Sequence, residues 1–180
     1  MSAPLIRRGR GAAGAAPARA RGWSPRLRST LMILGGSFTA ALPFLAEQPV
    51  LPAFGFLAFV TWRLLAPELL PPWSAIGFGA FDDLVSGNPL GTAILLWTIT
   101  ALVLPWVERA FLFRTWRQDW MIMGTVAIAY HAALWLLSPL NGGSPVPPLA
   151  LLVPAALSLL AVPVLARLAT GPGEPDPRRT

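Results

Sequence analysis

The chain has 180 residues, of which 54% are hydrophobic and only 12% charged. A soluble domain carries roughly 25% charged residues, so too few are present here to cover a water-facing surface. The net charge is +6, with fourteen basic residues that are all arginine, one histidine and no cysteine. Disulfides, iron–sulfur clusters, zinc-thiolate sites and cysteine nucleophiles are therefore excluded, and one histidine cannot build a multi-histidine metal cage within one chain. The expected class is an all-α integral membrane protein with a single membrane domain. The arginines flank apolar runs and no nucleic-acid motif accompanies them, so anionic lipid headgroups and membrane topology explain the charge better than nucleic acid does.

Residues 1–28 hold seven arginines among Gly, Ala and Pro. Such a segment has nothing to bury and reads as a disordered cytoplasmic tail. The first apolar run is Leu31 to Ala46. An arginine-rich start before an apolar run imitates a signal peptide, but Phe44 stands where a small residue is wanted ahead of Ala46, so an uncleaved first span is expected. Residues 50–66 form the second run.

The third run begins near Leu69 and is free of charge only to Phe81, 13 residues. At about 1.5 Å per residue it covers roughly 20 Å, short of a hydrocarbon core of about 30 Å. It spans only if it takes Asp82 and Asp83 into its end. Runs four to six cover 89–107, 119–138 and 147–166, and residues 169–180 form a short polar tail. The membrane domain is thus 29–168, a bundle of about six transmembrane helices.

With both termini in the cytoplasm, the tail supplies seven arginines inside. The later cytoplasmic ends supply Arg63, then Arg109, Arg114 and Arg117, then Arg167, Arg178 and Arg179. The outer connections near 47–50, 83–89 and 139–147 hold none. Positive charge is biased to the cytoplasmic side, so this distribution supports counting the third run as a span. Trp62, Trp73, Trp106, Trp116 and Trp120 fall near the same ends and are expected to anchor at headgroup level. Residues 107–118 fit either a short interfacial amphipathic helix or a helix end running into a loop. Pro43, Pro52, Pro154 and Pro163 lie in or near the ends of apolar runs, where kinks are tolerated. Gly35 with Gly36, and Gly77 with Gly79, offer small surfaces for close helix contact.

The polar residues give few chemical candidates. Asp82 and Asp83 fit three roles: a structural or partner-facing helix end, a proton- or ion-coupling site, or a metal or catalytic site. Adjacent helical residues diverge by about 100°, so one carboxylate is expected to face the bundle and the other, Asp82, to face water. His131, beside Tyr130 in the fifth run, fits a proton relay or a neutral hydrogen-bonded packing role. Glu108 with Arg109, and Arg117 with Asp119, read as interfacial charge pairs. No serine stands in a nucleophile motif and no phosphate-binding glycine pattern occurs. The expectation is no catalytic, cofactor or metal site, and hence no enzyme.

Residues 56–97 resemble the rod shape-determining protein MreD family. The resemblance rests on Trp62 and Pro67 before a short span, then Gly79, Asp83 and Gly87 at four-residue spacing, and a turn with Pro89, Leu90 and Gly91. By that spacing Asp83, rather than Asp82, matches the family aspartate. Arg63 is a lone charge where relatives often carry more, and the arginine-rich tail is an addition.

The resemblance implies a non-enzymatic scaffold subunit of the bacterial cell-elongation machinery. It would sit in the cytoplasmic membrane and be required for rod shape and lateral peptidoglycan synthesis. Implied partners are an MreC-like membrane protein, MreB-type filaments, and the shape-related peptidoglycan glycosyltransferase with its penicillin-binding transpeptidase. Self-association is left open. The competing expectation is a small transporter or the substrate-binding membrane subunit of one, which six short spans and an acid-bearing third span would also suit.

Overall fold

The computed structural model describes residues 23–41, 52–110, 115–137, 149 and 152–170. Among them the chain is all-helical. The helices are α1 (Pro25–Phe38), α2 (Phe54–Leu65), α3 (Ser74–Ser86), α4 (Thr92–Ala110), α5 (Trp116–Leu137) and α6 (Leu152–Thr170). Three of them, α4, α5 and α6, are long and apolar enough to cross a membrane. The others have 14, 12 and 13 residues, or roughly 18–21 Å at 1.5 Å per residue.

Local chemistry sets several of these boundaries. The Ser24 hydroxyl accepts a hydrogen bond from the Leu27 N–H, and Pro25 occupies the first helical position. This is a favoured helix start, because it satisfies one orphan donor and places proline where no N–H is needed. The helix therefore begins before residue 28, and Arg26 and Arg28 belong to its first turn rather than to the tail. The α2 helix ends at Leu65. Ala66 adopts an extended conformation, φ −147° and ψ 72°, as the residue before Pro67 must.

The α2 helix is the centre of the bundle, and every residue from Gly55 to Leu64 is buried. Helices consecutive in the chain run in opposite directions. Gly36 meets Gly55 and Met32 meets Trp62 across α1 and α2. Gly79 meets Ala93 and Ile94 across α3 and α4, and Gly124 meets Leu159 across α5 and α6. Small residues at such crossings let two backbones approach closely. Of the glycine pairs expected to serve this way, only Gly36 and Gly79 do; Gly35 and Gly77 face open space.

An aromatic cluster fills the middle. Phe56 stacks on Tyr130 with centroids 4.1 Å apart, and Trp97 packs against Phe56 and Phe59 at 5.8 and 5.3 Å. Thr61, Thr100 and Ser158 each donate to the carbonyl four residues earlier, which satisfies hydroxyls inside apolar helices. Outward faces are apolar: Leu95, Ile99 and Leu102 on α4 and Leu160, Val164 and Leu168 on α6 are exposed. So much contiguous apolar surface suits lipid rather than water.

The alternating directions gather the described arginines at one end of the bundle. Arg26, Arg28 and Arg117 open helices there, and Arg63, Arg109 and Arg167 close them. The Arg28 guanidinium donates to the Leu168 carbonyl, which ties α1 to the end of α6.

Several expectations are corrected. Trp62 is not a headgroup anchor; it is 5% exposed and donates from Nε1 to the Met32 sulfur at 3.3 Å. Trp73 and Trp106 are exposed. Arg117 is exposed, while Asp119 is buried at 4% exposure. Of residues 107–118, the first four belong to α4 and the last three to α5, and 111–114 lie outside the described residues. The outer connections 47–50 and 139–147, the tail arginines up to Arg21, Pro43, Phe111, Phe113, Arg114, Arg178 and Arg179 lie outside the described residues.

Candidate functional site

The centre of interest is the junction of α3 and α4, where Gly79, Asp83, Gly87, Pro89, Leu90 and Gly91 come together. Both aspartates lie in the last turn of α3. Gly87 ends that helix in the left-handed conformation, φ 69°, and Gly91 has φ 107° just before α4. Both values strongly favour glycine. Between them the Pro89 carbonyl accepts the Thr92 N–H at 3.1 Å. Leu90 projects outward, 72% exposed.

This geometry delivers the start of α4 to Asp83. Its Oδ2 accepts the Gly91 N–H at 2.8 Å and the Ile94 N–H at 3.3 Å, and its Oδ1 accepts the Ala93 N–H at 2.7 Å. The first amides of a helix have no partner within the helix, and a carboxylate there also meets the positive end of the helix dipole. Asp83 is thus an N-terminal cap for α4 supplied by the preceding helix. It is 1% exposed. One turn earlier, a Cβ on Gly79 would lie 2.8 Å from the Ile94 Cα and 2.9 Å from its nitrogen. The absent side chain at Gly79 lets α4 come near enough for Asp83 to reach its amides.

Asp82 does not face water; it is 6% exposed. The 100° between adjacent side chains is real, but both directions are covered. The end of α3 is wedged between two helices, so Asp83 faces α4 while Asp82 faces α1. Asp82 sits beside the hydroxyls of Ser37 and Ser86. Tyr130 lies within electrostatic reach of both carboxylates and beside Trp97. The Ser37 hydroxyl and the Trp97 indole N–H approach these groups without reaching hydrogen-bond geometry and are buried without a partner. The result is a polar cluster of acid, hydroxyl, phenol and indole inside an otherwise apolar bundle.

At the arginine end, Arg63 is 5% exposed and so is not a headgroup contact. Its Nη1 donates to the Leu70 carbonyl at 2.7 Å and its Nη2 to the Ala101 carbonyl at 3.1 Å. Ala101 precedes Pro105 by four residues, and Pro105 lies inside α4 without an N–H. The proline orphans the Ala101 carbonyl, and the guanidinium from α2 replaces the missing donor. Glu108 is the acidic charge acting on Arg63, while the Arg109 guanidinium lies 5.8 Å from the centre of the Trp106 ring. The sequence carried a signal for the Arg63 bond, a proline four residues after Ala101, but nothing to say which donor would answer it.

His131 is 7% exposed, and its Nδ1 lies 2.8 Å from the Ala127 carbonyl. Donation to that carbonyl fixes the Nδ1–H tautomer. The ring packs edge-on against Tyr130 at 5.8 Å. Pro67 is exposed in the turn after α2. No group of three or more His, Asp or Glu side chains able to hold a metal ion occurs among the described residues. Asp83, with both oxygens committed to α4, has a structural task, and Asp82 is the acid left facing other polar side chains. No family model, curated protein or solved structure matches the chain.

Proposed function

We propose that the chain is a non-enzymatic scaffold of the MreD type, a six-span subunit of the cell-elongation machinery in a bacterial cytoplasmic membrane. The observation that carries this reading is the Gly79–Asp83–Gly87–Gly91 element. The residues on which the resemblance rests form one structural unit that fixes a helix hairpin and presents Leu90 at its outer tip. Such a unit suits a protein that holds partners in place. The concentration of described arginines at one end supports a topology with both termini in the cytoplasm and the Asp83 end outward. The short α1, α2 and α3 require flanking residues or local bilayer thinning to complete their crossings.

The proposed partners are an MreC-like membrane protein, MreB-type filaments, and the glycosyltransferase–transpeptidase pair of lateral wall synthesis. The direct test is purification of the tagged protein in mild detergent with identification of what accompanies it. Enrichment of wall-elongation components supports the scaffold; a complex containing a transporter ATPase and none of these would refute it.

A second reading, a small carrier or the substrate-binding subunit of a transporter, is favoured by one observation. The cluster of Asp82, Ser37, Tyr130 and Trp97 holds buried polar atoms without hydrogen-bond partners, and polar groups inside membrane bundles commonly mark ligand or ion paths. Uptake lost on Asp82→Asn with cell shape intact would support this reading over the scaffold.

A further inference from the structure

The α4 and α5 helices do not seal against each other along their length. Between them lies an apolar groove of about 360 Å³, walled by Leu96, Ile99, Val103 and Val107 on one side and by Val126, Ala129 and Ala133 on the other. The α4 wall, from Leu96 to Val107, is roughly 16 Å long at 1.5 Å per residue. That is about half of a hydrocarbon core of about 30 Å, the depth of one leaflet. A spanning helix packed here would occupy the groove over only about half of its length. An acyl chain from one leaflet needs only this.

The ends of the groove differ in chemistry. At the Leu96 end α4 begins with Thr92 and Ala93, which carry no charge. At the Val107 end stand Trp106, 72% exposed, and Arg109, also exposed, with the guanidinium held over the indole face 5.8 Å from its centre. Stacking on tryptophan orders an arginine at headgroup level while leaving its N–H donors free for an oxygen anion. Arg117, exposed in the first turn of α5, adds positive charge at the same end of the bundle.

We infer that the α4/α5 groove binds one acyl chain of an anionic phospholipid, with the lipid phosphate at Arg109. The site is independent of the scaffold reading. It accounts for a cleft one leaflet deep that is open to the side and mostly apolar along its length, with Arg109 just beyond its Val107 end.

The test uses the full-length protein in a neutral detergent, with phosphatidylglycerol and phosphatidylcholine of identical chains as probes. Bound lipid is counted by native mass spectrometry and the melting temperature is followed in parallel. The wild type is expected to retain phosphatidylglycerol roughly fivefold better, which corresponds to about 1 kcal/mol for one arginine at a charged headgroup. Arg109→Gln should bring the two lipids level while both still bind. Ala129→Phe, which fills the groove, should lower occupancy by both. A chain with Arg7, Arg8 and Arg10 changed to Gln should keep the preference, which separates the groove from the basic tail. Equal retention of both lipids by the wild type would overturn the inference. So would a preference that follows the tail rather than Arg109, or full occupancy in Ala129→Phe. Recovery of a protein segment instead of lipid from a photo-crosslinker at Ile99 would overturn it as well.

Discussion

Replacing Asp83 by asparagine keeps the size and removes one acceptor. The wild-type carboxylate takes three backbone N–H groups at 2.7, 2.8 and 3.3 Å with no solvent access. An amide offers one oxygen and one NH₂, and the NH₂ must point at a donor whichever way the group is flipped. At least one amide of α4 loses its bond, and the remaining bonds lose charge assistance. A hydrogen bond to a charged group contributes about 1.5–3 kcal/mol, and a lost helix cap costs about 0.5–2 kcal/mol. These overlap, so about 2–3 kcal/mol is the expected cost. For a chain of this size each 1 kcal/mol shifts the melting temperature by about 2–4 °C, which gives a drop of about 4–12 °C. Asp82→Asn should cost less, because its neighbours Ser37 and Ser86 are hydroxyls, which can face an amide oxygen or an amide NH₂, whereas the backbone N–H groups at Asp83 can only donate. Thermal unfolding of both variants in the same detergent and lipid is the assay. A drop under about 1 °C for Asp83→Asn, or a larger loss for Asp82→Asn, would refute the capping argument.

Three further outcomes follow from close contacts and buried bonds. Gly79→Ala should destabilise by about 1–3 kcal/mol, since the new methyl meets the backbone of Ala93 and Ile94 rather than a flexible side chain, whereas Gly77→Ala should be neutral; melting temperatures compare them. The same contrast should hold between Gly36→Ala, which meets the backbone of Phe54 and Gly55, and Gly35→Ala, which meets open space. Arg63→Gln should destabilise the native chain but cost measurably less beside Pro105→Ala, because the alanine returns an N–H to the Ala101 carbonyl; a double-mutant cycle with no coupling would contradict the clamp.

What could be seen in the sequence was local. The four-residue spacing of Gly79, Asp83 and Gly87 and the turn chemistry of Pro89 to Gly91 are short-range signals, and the helix end, turn and cap they build involve residues at most eleven apart. The apolar runs likewise marked where each helix would form, though α1 starts earlier than hydrophobicity indicated because Ser24 and Pro25 act through capping rather than burial. What could not be seen depended on helices distant in the chain. Asp82 looked solvated because helical geometry alone turns it away from Asp83; it is buried because α1 covers that face. Arg63 looked like a topological charge because its acceptor, Ala101, is 38 residues away and is available only through Pro105. Trp62 looked like an interfacial anchor because it ends an apolar run, yet its helix is the one surrounded by the others. Gly36 and not Gly35 mediates the α1–α2 contact for the same reason: which face turns inward is decided by the partner helix.

The central claim is that this chain supports wall elongation through the junction Asp83 holds together. It is tested most directly by cell shape in a rod-shaped host lacking the protein. The account predicts round cells on clean deletion, rods restored by the wild type and by Asp82→Asn, and restoration reduced or lost with Asp83→Asn produced at matched levels. Rods that persist unchanged after the deletion would contradict it.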